Sequence, residues 1–300
     1  MPATFPEVWL NRVVRLLSSL VNAPWLEGIS ELDTSIIEVG SGTASEQNLI
    51  HIPIENFDVD VLLNNTAYPI AIQQYADTET IISLDKYQTK PTNISDDAVM
   101  GASYDKIDSA TRAHVRGMAT SKYTKAIHSL APAANTANTP VIVATGPVVD
   151  GRPTLVYKDL ITLKRKLDAI DTPIEGRRLV LSTDHMNDLL EDKERFADLL
   201  VNHNTGTVKP LIAGFDIYSY LGNPYFTTGL TKVAYGGVPG ATDRRASVCF
   251  VVENVAKKTG ITKQYFAKSD DDPQNQTNLL SYRHYFIAVP VQGKWMGAIV

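Results

Sequence analysis

Apolar and polar positions recur along this chain with two different periods, and the switch between them divides it into segments. Near the start, Val8, Leu10, Val13, Val14, Leu16, Leu17 and Leu20 fall on one side of a helix over residues 7–20. Arg12 and Arg15 point away from that side, and Pro24 ends the helix. Over residues 48–84 the period becomes two. Ile50, Ile52 and Ile54, then Phe57, Val59, Val61 and Leu63, interleave with other residues, and Tyr68, Ile70, Ile72, Thr78, Thr80, Ile82 and Leu84 resume the alternation beyond Asn64-Asn65. The pattern predicts a long β-hairpin turning at the two asparagines. Pro53 and Pro69 cannot donate to a ladder, so its strands should have exposed edges or bulges. A hairpin without a third strand is marginal by itself and must lie on another surface.

The helical period then returns. Ile107, Val115, Met118, Ala119, Tyr123, Ala126, Ile127 and Leu130 predict the longest helix, over residues 105–130, with Pro132 beyond its end. Residues 131–147 are rich in Ala, Thr, Pro and Asn and read as a crossover between subdomains. Val156, Leu160, Leu163, Leu167 and Ile170 mark another helix, and Leu179-Val180-Leu181 a buried strand. Ser182, Thr183 and Asp184 offer N-caps for a helix over 185–191, and a further short helix is expected over 193–201. Strands are expected at 215–220, 247–252, 261–266 and 282–291, with a glycine-rich loop at 235–240 and a polar loop at 269–278.

Composition narrows the function classes. The chain has 300 residues, 44% hydrophobic and 20% charged, with a net charge of −5. A disordered chain is excluded by the apolar content. The acidic balance argues against a dedicated nucleic-acid binder, which releases counterions by supplying cations. So little charge over so large a chain implies that a partner covers part of the surface. The charge is also uneven. Residues 46–100 hold nine acids and two bases, a net of −7, which leaves +2 for the rest; residues 105–130 hold five bases and two acids, a net of +3.

Candidate chemistry is sparse. Cys249 is the one cysteine, so no internal disulfide or multi-cysteine metal site forms, and its apolar setting reads as core. Gly40-Ser41-Gly42 superficially resembles a phosphate loop but has no lysine and precedes a strand pattern. Ser182, Asp184 and His185 gather the residue types of a hydrolytic triad, yet neighbours in sequence do not give triad geometry, and a helix-capping turn accounts for them. The six histidines lack metal spacing, and Asp270-Asp271-Asp272 lacks the glycine and glutamate of a calcium loop. No signal peptide or membrane span is expected, and no catalytic, cofactor or metal site.

The order of elements carries more than any motif: arm, acidic hairpin, basic helix, α/β region with glycine-rich loops, return through long strands. Residues 80–87 (Thr-Ile-Ile-Ser-Leu-Asp-Lys-Tyr) followed by Ile94-Ser95-Asp96-Asp97 look like a hairpin's return strand and its junction to a long helix. Residues 178–183 (Arg-Leu-Val-Leu-Ser-Thr) followed by a helix look like the entry to an axial domain, and residues 214–224 (Gly-Phe-Asp-Ile-Tyr-Ser-Tyr-Leu-Gly-Asn-Pro) like a later strand and loop of that domain. In this the chain resembles major capsid proteins of tailed phages with the Hong Kong 97-like fold. The resemblance implies an α+β fold with an N-terminal arm at 1–42 and an extended hairpin, the E-loop, at 43–95. It further implies a peripheral domain with the spine helix at 96–135 and 246–300, and an axial domain at 136–245. It implies a non-enzymatic, self-assembling shell subunit forming pentamers and hexamers in the host cytoplasm. Expected partners are a scaffolding protein, a portal and enclosed double-stranded DNA held without sequence-specific contacts; no membrane is involved. The acidic hairpin, through Asp58, Asp60, Asp77 and Glu79, would meet Arg112, Arg116, Lys122 and Lys125 of a neighbour's spine helix. With no lysine between Gln47 and Asp85, no isopeptide weld of the E-loop is expected. The alternatives are an encapsulin-like compartment, a tail or adaptor ring, and an α/β hydrolase using Ser182 and His185.

Overall fold

The computed structural model describes residues 13, 17, 23–32, 49–55, 61–66, 68–73, 77–95, 106–191, 201–202, 207–208, 211–269, 274 and 276–300. They fall into two compact units, one of residues 33–85 and one of residues 1–32 with 86–300.

In the smaller unit, β1 (Leu49–Glu55) pairs antiparallel with β2 (Asp77–Ser83), Leu49 opposite Ser83 and Glu55 opposite Asp77. The expected hairpin is therefore present but its ladder is shorter than the alternation suggests. Residues 61–66 and 68–73 lie outside any strand, so the two-asparagine turn is corrected to a long excursion between Glu55 and Asp77. The physical reason is that a two-stranded ribbon has no core on which to bury one face, so alternation alone cannot extend it. Pro53 is tolerated in β1, opposite Glu79, because each strand of a two-stranded sheet has a free edge.

The larger unit follows in chain order: β3 (Asp85–Gln88), β4 (Thr92–Ser95), α1 (Lys106–Leu130), β5 (Val141–Ile142), α2 (Tyr157–Asp168), β6 (Arg177–Leu181), α3 (Thr183–Glu191), β7 (Leu211–Ile212), β8 (Phe215–Ser219), β9 (Ser247–Val251), β10 (Val255–Ala267), β11 (Thr277–Pro290) and β12 (Met296–Ile299). A six-stranded sheet runs β7-β8-β6-β9-β12-β5, parallel at β8/β6 and β12/β5 and antiparallel elsewhere. It draws strands from both sides of residue 245. A second sheet is built on the long β10–β11 hairpin, with β3 and β4 paired to β11.

The six-stranded sheet is buried on both faces, which is why β9 reads as an unbroken apolar run. Val248 and Phe250 join one core with Val180, Met118 and Ile127; Cys249 joins the other with Leu160, Leu163, Leu167 and Leu179. Helix α2 thus covers one face with the three leucines that its spacing predicts. Gly297 in β12 permits that approach, because a Cβ there would stand 3.0 Å from the Leu163 side chain and 3.2 Å from the Pro140 carbonyl. Asp159 anchors the start of α2, accepting the Val156 N–H at 3.1 Å and the Thr145 hydroxyl at 2.6 Å.

On the opposite face, α1 lies over β11, with Tyr123 edge-on to Phe286 at 6.0 Å. The segment 23–32 packs beside it. Trp25 is wholly buried and edge-on to Tyr220 and Phe250. Body side chains hold this segment and Leu17 through backbone carbonyls: Lys122 and Tyr123 donate to Leu17, Arg178 to Trp25, Lys257 to Leu26 and Lys258 to Leu32. Of the helix expected at 7–20, Val13 is helical and accepts the Leu17 N–H; the rest lies outside the described residues. Residues 192–200, most of the expected helix at 193–201, also lie outside them. Val201 itself belongs to a strand, Val201–Asn202, paired with Thr207–Val208. The last residues, which the periodicity left unassigned, form β12.

Asp188 of α3 ties two connections together. It accepts both terminal nitrogens of Arg152 at 2.7 Å and the Leu155 N–H at 2.9 Å, while its own side chain is 4% exposed. Asp188→Ala leaves the Leu155 amide and a guanidinium without their acceptor. The expected loss is about 3–5 kcal/mol of folding stability, read as a lower denaturant midpoint for the unassembled subunit. An unchanged midpoint refutes this role.

Candidate assembly surfaces

The smaller unit is unusual for what it exposes. Val61, Leu63, Tyr68 and Ile72 are each at least 77% exposed, and Leu62 and Ile70 more than half. Six large apolar side chains within twelve positions of one excursion make a patch that water disfavours and a partner would cover. Of the four acids expected to act here, Asp77 and Glu79 lie in β2, opposite Glu55 and Pro53. Asp58 and Asp60 lie outside the described residues.

Helix α1 carries the four cations assigned to the complementary surface, and the fold separates them. Arg116 is exposed, and Arg112 projects to solvent while bonding Asp108 at 2.5 Å one turn earlier. Lys125 is half-buried, its ammonium 6.0 Å from the Tyr235 ring. Lys122 requires a correction: it is 3% exposed and is not a surface cation at all. Its ammonium donates to the Leu17 carbonyl at 3.1 Å, lies 3.1 Å from His284 Nε2 and sits over the Phe286 ring at 4.3 Å. Burial lowers its pKa to about 8, and the same burial with the Lys122 charge pushes His284 down to about 3. The signal was in the spacing. Residue 122 falls one turn after Met118 and one turn before Ala126, on the stripe that the apolar residues define.

The far end of α1 held a second cation that periodicity missed. Lys232 donates to the carbonyls of His128 and Ala131 at 2.7 Å each, satisfying the groups a helix C-terminus leaves open.

The hydrolase residues do not assemble a site. Ser182 Oγ accepts the His185 N–H at 3.3 Å, a helix cap as its sequence predicts. The imidazole reaches a different serine: His185 Nδ1 lies 2.7 Å from Ser247 Oγ, which also accepts the Ser182 N–H at 3.0 Å. Both serines are fully buried, and burial lowers the His185 pKa to about 4. This is a buried hydrogen-bond network joining β6, α3 and β9. Burial likewise raises the Cys249 thiol to about 12, so it has no thiolate character. Among the described residues no cluster of metal-ligating side chains occurs, and no helix is long and apolar enough to cross a membrane.

No curated protein matches the sequence. Solved structures do match the fold. The capsid structure of the cyanophage P-SCSP1u superposes with a TM-score of 0.65 at 15% identity, over 86% of this chain and 84% of that one. The capsid of a native GTA particle gives 0.57 at 12% identity, over 94% and 98%. The mature capsid of bacteriophage PhiM1 gives 0.55 at 13%, over 90% and 88%. These likenesses establish the Hong Kong 97-like α+β fold. The sequence model described as phage capsid protein matches residues 77–300, nearly three quarters of the chain. On that match the chain belongs to the phage capsid protein family and is a structural subunit of a phage head shell.

Proposed function

We propose that this capsid protein closes an icosahedral shell of pentamers and hexamers around double-stranded DNA, each hairpin docking onto a neighbouring copy. The observation that carries this reading is the set of large apolar side chains exposed between Val61 and Ile72 of the smaller unit. The acidic hairpin segment adds direction. Meeting the exposed Arg116 and Arg112 of a neighbour's α1, it would set register more than affinity, since Asp108 already offsets part of the Arg112 charge. Lys122 is no longer part of this surface. The DNA is held by enclosure, consistent with the net charge of −5. A scaffolding protein and a portal complete the assembly, which takes place in the host cytoplasm, and the axial segment 136–245 supplies contacts around each capsomer centre.

The charged register has its own test. Arg112→Glu with Arg116→Glu places acids opposite acids. Misassembled or open shells are expected in negative-stain electron microscopy, with a denaturant midpoint close to that of the parent subunit. Normal closed shells from the double variant sink the charged register.

A further inference from the structure

Beside the buried Lys122 lies a cavity of about 390 Å³, within the range of roughly 300–1,000 Å³ typical of small-ligand sites. It is lined by Lys122, Lys257, His284, Glu31, Thr259 and Thr262. The two lysines are 3% and 8% exposed, and a buried charge is costly unless it is paired. An ammonium has three hydrogens to donate. Lys122 engages the Leu17 carbonyl and His284 Nε2, and Lys257 the Leu26 carbonyl at 3.2 Å. All three partners are neutral, since burial keeps the imidazole uncharged. The lining carboxylate, Glu31, is taken up by Thr259, accepting its hydroxyl at 2.6 Å and its N–H at 3.4 Å. The cavity therefore holds two positive charges against one negative. It also lies where the β10–β11 register slips between Thr259 and Thr262, a bulge of the kind that frees backbone groups beside binding sites.

We propose that this cavity binds a single oxyanion, of carboxylate or phosphate chemistry, between the Lys122 and Lys257 ammonium groups. The site is complete within one subunit and does not depend on how the hairpin docks. Two sources supply that chemistry: a free ion, or a carboxylate side chain from the acidic segment of a neighbouring copy.

The test is a titration of the unassembled full-length subunit with inorganic phosphate at pH 7. Chloride holds the ionic strength constant, and binding is followed by ³¹P line broadening and by the melting midpoint. Saturable broadening and a rising midpoint are expected. Lys257→Met should weaken binding at least tenfold, and Lys257→Arg, which keeps the charge, should retain most of it. Absence of saturable binding in the parent protein overturns the proposal, whatever the variants do. So does unchanged affinity in Lys257→Met that circular dichroism shows to be folded. The same titration on assembled shells separates the sources. Retained binding supports a free oxyanion, and binding lost only on assembly supports a neighbour's carboxylate in the cavity.

Discussion

Val61→Asp, Leu63→Asp and Ile72→Asp introduced together are expected to abolish shell formation while leaving the subunit folded. The three side chains are 77%, 87% and 92% exposed, so the larger unit loses none of its core when they change. Substitutions at such positions usually move folding stability by no more than about 0.5 kcal/mol. Docking is another matter. Burying one large aliphatic side chain is favourable by roughly 1.5–3 kcal/mol, so three are lost together, and each aspartate brings a desolvation cost besides. The penalty is on the order of 5 kcal/mol per docked hairpin, and it recurs at every subunit of a closed shell. Size-exclusion chromatography and electron microscopy should find free subunits or capsomers in place of particles. Closed shells in normal yield would show that the hairpin tip is not an assembly contact.

Acid should unfold the free subunit through two histidines in particular. His185 and His284 are 3% and 2% exposed. Desolvation is the larger cause of depression at both, aided at His284 by the Lys122 charge, and their values fall to about 4 and about 3. In the unfolded chain both titrate near 6.5. Between these values the unfolded state binds protons that the folded state refuses, so stability is fully present above 6.5 and falls as the pH drops through the window. Each histidine contributes a slope of about 1.4 kcal/mol per pH unit there. Denaturant midpoints measured from pH 7 to pH 4.5 should decline, and His284→Gln, which keeps a polar group toward Lys122, should flatten the decline. An equal slope in the variant would assign acid lability to carboxylates alone. Lys122 acts in the same direction, over a higher pH range. Its depressed pKa makes the folded state bind fewer protons than the unfolded one from about pH 8 up to its usual value near 10.5, so it favours the fold increasingly as pH rises through that range.

Much of the larger unit was legible because periodicity there reports burial directly. The three leucines of α2 and the stripe of α1 lie where their spacing puts them, and Ser182 caps α3. The misreadings share a cause: identity overrode position. Lys122 was assigned to the surface for its charge, although its place on the α1 stripe put it in the core. The hairpin alternation was extended to Leu63 and Ile72 on their apolarity, although a two-stranded ribbon has no face to bury them on. Strand β12 escaped notice because its partners, β9 and β5, are distant in sequence, and Gly297 weakens its local signal. The Arg152–Asp188 pair and the cavity beside Lys122 were beyond reach for the same reason, since they join residues that only the tertiary fold brings together.

The grip on the N-terminal segment has a consequence for how freely that segment can diverge. Lys122, Tyr123, Arg178, Lys257 and Lys258 address Leu17, Trp25, Leu26 and Leu32 through main-chain oxygens, atoms that every amino acid supplies. The buried side chains of Leu17, Ala23, Trp25, Leu26 and Ile29 and the Glu31 carboxylate depend on identity; the five carbonyl contacts themselves read only the path of the chain. Mutational tolerance should therefore be lopsided across this contact. Variation is accepted readily at exposed strap positions such as Glu27 and Ser30, and poorly at its buried residues and at the five side chains that hold it.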